Sequence, residues 1–102
     1  MRTLFVMLIV SATVGAGELC DGLAETAEMV MKLRQNGTDV TTLMNKLEAT
    51  PVEDEADSVM SELIENIIIM AYSKPLMYSE EGKSTSIREF KTSIYLECKR
   101  GL

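Results

Sequence analysis

The start of the chain limits what the rest can become. Met1-Arg2-Thr3 puts one positive side chain beside the free amino group, and Leu4 to Val10 (LFVMLIV) is wholly apolar. Ser11-Ala12-Thr13-Val14 continues the run more weakly, and Gly15-Ala16-Gly17 closes it with small residues. A charged start, an apolar core and a small-residue exit form the pattern of a secretory signal peptide. The peptidase needs short side chains at the first and third positions before its cut. Cleavage is therefore expected after Ala16 or after Gly17, the first slightly favoured. A membrane-spanning helix needs about 20 apolar residues, and Glu18 interrupts this run well before that. A lipid anchor needs a small residue directly before the modified cysteine, whereas Glu18-Leu19 precedes Cys20. The competing readings are an uncleaved anchor and a buried N-terminal helix.

Without residues 1–17, the 102-residue chain leaves 85, residues 18–102, enough for one domain. A domain this small buries a low fraction of its surface and needs help from elsewhere. The only two cysteines, Cys20 and Cys98, stand near the two ends of that remainder. Export would carry them into a compartment where disulfides persist. One intramolecular pairing is open to them, and closing so long a loop is worth about 4 to 5 kcal/mol on the chain-entropy model. The alternative is two free thiols. Their spacing is not Cys-x-x-Cys, which speaks against a redox-active pair.

Helical periodicity dominates residues 18–102. Cys20, Leu23, Ala24, Ala27, Val30, Met31 and Arg34 recur on one face of a helix expected from about Leu19 to Gln35. Asn36-Gly37 should stop it, since both residues tolerate the left-handed conformation. Asn36-Gly37-Thr38 also matches a glycosylation acceptor, but in a bacterial or phage protein the helix stop is the better account. A short second helix is expected from Asp39 to Glu48, capped by Thr38 or Asp39, with Val40, Leu43, Met44 and Leu47 as its stripe. A third is expected to start with Thr50 as cap and Pro51 in the first turn, and to end near Ser73 before Pro75. Ala56, Val59, Met60, Leu63, Ile64, Ile67, Ile68, Met70 and Ala71 give it the widest apolar face, marking it as the expected central helix. Ile69 falls instead near Glu62, Glu65 and Asn66. It is either covered by the last segment, the commoner outcome, or exposed for a partner. Pro75 to Thr85 reads as a loop. The last helix is expected from Ser86-Ile87-Arg88-Glu89, a capping-box pattern, with Ile87, Phe90, Ile94, Tyr95 and Cys98 on one face.

The chemistry for catalysis is sparse. The chain has no histidine, which removes the commonest general base and metal ligand. It has no Gly-rich phosphate loop. Carboxylate pairs abound, but a sugar cleft is implausible in a domain of this size without tryptophan. Glu53, Asp54, Glu55 and Asp57 do not have the spacing of a calcium loop and suit the positive end of a helix dipole. Six of the 8 methionines lie beyond Met1 and Met7, scattered at core positions. That dispersal suits flexible filling better than copper binding. No enzyme activity, metal or cofactor is expected. The net charge is −6, or −7 once Arg2 is lost, which repels nucleic acid and anionic membranes. The charge serves solubility or a basic partner.

Taken in order, these features resemble a loose group of small exported proteins of unknown function from bacteria and their tailed phages. The shared elements are the leader, the early Glu18-Leu19-Cys20, Met70-Ala71-Tyr72 followed by Pro75, and a last helix bearing Phe90, Tyr95 and Cys98. The resemblance implies a periplasmic helical domain with a terminal bridge and transfers no catalytic residues. The expectation is therefore an all-α, three- or four-helix bundle, periplasmic or secreted, with Cys20 bridged to Cys98. It should bind or inhibit an envelope protein, without stable membrane insertion after cleavage. Leu76, Met77 and Tyr78, an apolar triplet in a polar loop, are the first candidate contacts, and Ile69 is second. Against this, the triplet could fold back onto the core. The rival function is a self-associating structural protein that uses the Leu63 to Ala71 face.

Overall fold

The computed structural model describes the backbone of residues 2–101 and the side chains of residues 18–101. The expected leader and its two cut sites, at Ala16 and Gly17, lie outside the described side chains. Among the described residues four helices run in order: α1 (Arg2–Gln35), α2 (Val40–Ala49), α3 (Glu55–Tyr72) and α4 (Glu80–Lys99). Leu19, the expected start of the first helix, sits inside α1, because nothing at Glu18-Leu19 breaks a helix.

The end of α1 follows from the sequence. Gly37 adopts φ 86°, its N–H donates to the Arg34 carbonyl (3.1 Å), and the Thr38 N–H donates to the Leu33 carbonyl (3.0 Å). This is the Schellman closure that a glycine after a helix permits. Asp39 then caps α2 by accepting from the Thr41 N–H at 3.1 Å.

The two later starts differ from expectation, and each has a local cause. Thr50 ends α2 rather than opening α3. Pro51 pushes the residue before it out of the helical region, and Thr50 is extended at φ −75°, ψ 125°. Asp54 caps α3 instead. Its carboxylate accepts from the Asp57 N–H (2.8 Å), and the Asp57 carboxylate accepts from the Glu53 N–H (3.2 Å). Much of the acidic cluster thus serves helix initiation. Likewise α4 begins six residues before Ser86, with Ser79 accepting from the Gly82 N–H at 2.9 Å and Glu80 and Glu81 in the first turn. The first turn packs so tightly that a Cβ on Gly82 would lie 2.9 Å from Ser79 Oγ and 3.3 Å from Met77 Cε. Ser86 lies within the helix and faces α1.

The central helix is α1, not α3. It packs against both α4 and α3, while α2 leans on α3. Ala24 and Ala27 let neighbouring backbones approach closely, and with Leu23, Val30 and Met31 they are buried on a wide arc of α1. Leu43, Ile67, Ile68, Ala71, Phe90 and Ile94 complete the core. Of the apolar face expected for α3, Ala56, Val59 and Met70 are exposed, and Met60, Leu63 and Ile64 are half-buried. The reason is that α3 lacks a neighbour on one side. Cys20 on α1 and Cys98 at the end of α4 form a disulfide, with their Cα atoms 5.5 Å apart. The first and last helices are therefore joined covalently.

Candidate functional site

The loop between α3 and α4 is held by the end of α1. Gln35 is 2% exposed, and its side-chain amide works in both directions. Oε1 accepts from the Met77 N–H at 2.8 Å, and Nε2 donates to the Pro75 carbonyl at 3.1 Å. Nε2 also lies 3.4 Å from Ser86 Oγ. One residue earlier, the Arg34 guanidinium donates to the Lys74 carbonyl from Nε (3.3 Å) and Nη2 (3.0 Å). It also lies over the Tyr72 ring, 5.2 Å from its centroid. The Tyr72 hydroxyl donates to the Thr38 carbonyl at 2.6 Å. Burial pushes this hydroxyl above its ordinary value of 10.0, against the pull of Arg34 and with a further push from Asp39. Consecutive loop carbonyls and an amide are thus satisfied by side chains, so the loop has one shape although it contains no regular structure.

That shape separates the three loop candidates. Met77 is half-buried, packed at the start of α4. Leu76 is 37% exposed and Tyr78 95% exposed. None of the three joins the core cluster: Met77 packs beside Gly82, and Leu76 and Tyr78 are exposed. Tyr78 stands in solvent as an aromatic ring on a fixed loop.

Ile69 is not covered by the last segment. It is 52% exposed and lines a cleft of about 750 Å³ between α3 and α4. Its accessible apolar residues are Leu63, Ile69 and Met70 of α3, while Leu23, Met31, Ile67, Phe90 and Ile94 lie beneath it as part of the buried core. Polar groups form the rims: Asn66, Ser73 and Lys74 on the α3 side, and Ser86, Glu89, Ser93 and Glu97 on the α4 side. The cleft exists because α1 holds both helices while α3 and α4 barely touch each other. The fixed loop joins these two walls, so loop and cleft belong to one region.

Sequence reasoning found Ile69 as an apolar residue on a polar side but missed the cleft and the Gln35 clamp. A glutamine one residue past an Arg on the buried arc was the available signal, since it falls four residues after Met31 at core spacing. Among the described residues, no group of three His, Cys, Asp or Glu is placed to hold a metal ion, and no helix is long and apolar enough to cross a membrane. An apolar cleft with a polar rim and a presented aromatic can bind a protein or peptide surface. Comparison with known proteins finds no matching family model, no matching curated protein and no matching solved structure.

Proposed function

We propose that this chain is exported, loses its leader and acts as a non-enzymatic helical module that binds, and thereby inhibits or blocks, a protein of the cell envelope. The location would be periplasmic or secreted, and the source a bacterium or one of its phages. The observation that carries the reading is the clamped loop, which holds Tyr78 in solvent. Fixing the backbone that carries the ring lowers the entropy lost on binding, and tyrosine offers large contact area with a polar tip. The disulfide supports export, because such bonds persist outside the reducing cytoplasm. The absence of histidine in the sequence supports a role without general-base catalysis.

The test is affinity capture from an envelope extract with the oxidised protein. Wild type should retain a discrete partner, and Leu76→Asp with Tyr78→Asp should lose it while melting at nearly the same temperature. Equal capture by both would overturn the loop as the contact, and capture of nothing would overturn the binding role. The exposed Ile69 and Met70 favour a second reading, self-association through α3. A monomer in sedimentation at high concentration excludes it.

A further inference from the structure

We propose that Asn36 is a modification site, where the side-chain amide is lost to leave aspartate or isoaspartate, and that the clamp on the α3–α4 loop sets the rate. Asn36-Gly37 supplies both reacting groups. The Gly37 nitrogen attacks the side-chain carbonyl carbon of Asn36, and its proton leaves with the departing amide nitrogen as ammonia. A cyclic imide then joins the two residues. Water opens it at the side-chain carbonyl to give aspartate, or at the main-chain carbonyl to give isoaspartate, whose chain runs through the side chain. Water is the only co-reactant. Glycine favours the attack because it has no Cβ to crowd the nitrogen. Asn36 is exposed, so water reaches it. Asn45 and Asn66, the other asparagines, lie inside α2 and α3 and precede Lys46 and Ile67.

The contacts that shape the loop also hold this reaction back. The Gly37 N–H donates to the Arg34 carbonyl (3.1 Å) and the Asn36 N–H to the Lys32 carbonyl (3.0 Å), so the attacking nitrogen is engaged in the closing turn of α1. Residues on both sides are fastened. Arg34 and Gln35 hold the Lys74 and Pro75 carbonyls, and the Thr38 carbonyl accepts from the Tyr72 hydroxyl. Gly37 must leave the turn before it can attack, and that local opening strains or breaks these contacts. The coupling also runs the other way. Isoaspartate lengthens the main chain between Gln35 and Thr38. Either product puts a carboxylate at the end of α1, where the helix dipole disfavours negative charge. The altered turn no longer holds Gln35 on the loop and Thr38 on Tyr72 together, and the loop that carries Tyr78 loosens.

The full oxidised chain can be aged in warm neutral buffer, with peptide mass mapping and enzymatic methylation of isoaspartate following the conversion. Isoaspartate should collect in the peptide that holds Asn36 and not at Asn45 or Asn66. The reduced chain in urea should convert about tenfold or more faster than the folded chain. Gln35→Ala should convert about fivefold or more faster than wild type, both folded by circular dichroism. Tyr72→Phe, which keeps the ring, should act in the same direction and serves if Gln35→Ala does not fold. Converted protein should exchange its Met77 amide faster than unconverted protein. None of these readouts needs a partner, so they stand or fall apart from the protein-binding reading. The proposal is overturned by no isoaspartate at Asn36, by even conversion at the three asparagines, or by equal rates in the folded and unfolded chains. It is also overturned by folded clamp variants that convert no faster than wild type, or by unchanged Met77 exchange after conversion.

Discussion

At the scale of single residues, Gln35 does the most for the candidate site. It is polar, buried and saturated by the loop, so removing it leaves the Met77 N–H and the Pro75 carbonyl without their side-chain partner. Gln35→Ala should cost about 2 kcal/mol and speed amide exchange at Met77, as hydrogen exchange and denaturant melts would show. Unchanged protection there would mean that the loop is held some other way. Tyr72 gives a pH signature. Its hydroxyl ionises less readily in the fold than in the unfolded chain, chiefly through burial. The stability tied to its neutral form is therefore full below about pH 10 and is lost as pH rises through the folded-state value. Melting temperature should fall more steeply above about pH 10 in wild type than in Tyr72→Phe, and parallel curves would contradict the assignment. The Cys20–Cys98 pair, the Gly37 stop and the Asp39 cap were legible in the sequence, because each depends on local chemistry or on a single permitted pairing. Gln35 was not, because a polar residue is stable in a buried place only through its partners, here about 40 positions away at Pro75 and Met77.

At the scale of helices, periodicity identified every apolar stripe but not which stripe would be enclosed. The α3 stripe is the richest, yet α1 is central, because Ala24 and Ala27 allow neighbouring backbones close approach. Ala27 has no exposed surface, so Ala27→Leu should destabilise by about 1 to 3 kcal/mol through overpacking. Val59→Leu, at a position that is 53% exposed, should change little. A comparison of their urea midpoints decides whether α1 is the tight seam, and equal midpoints would contradict it. Both displaced helix starts have the same origin. The sequence points only to Thr50 and Ser86 as caps, whereas Asp54 and Ser79 cap the helices. At each start the observed cap is joined by further contacts, the Asp57 carboxylate on the Glu53 N–H and Met77 against Gly82, which a motif match alone does not report.

At the scale of the whole molecule, the fold is a helical bundle with its ends tied and one side left open. The disulfide closes a separation of 78 residues, worth about 4 to 5 kcal/mol on the chain-entropy model. Reduction should lower the melting temperature by roughly 20 °C in a domain of this size. An unchanged melt would mean that the link adds little. The open side could not be read from the chain, because it reflects the separation of α3 and α4 across α1 rather than any residue pattern. We propose that this side, with its clamped loop and exposed Ile69, is where the protein meets a partner. The most direct measurement is photo-crosslinking in the envelope of living cells, with the crosslinker placed in turn at Tyr78, at Ile69 and at the exposed Asn45 on α2. One shared partner band is expected from Tyr78 and Ile69, and none from Asn45. Equal bands from all three positions, or a band from Asn45 alone, would contradict it.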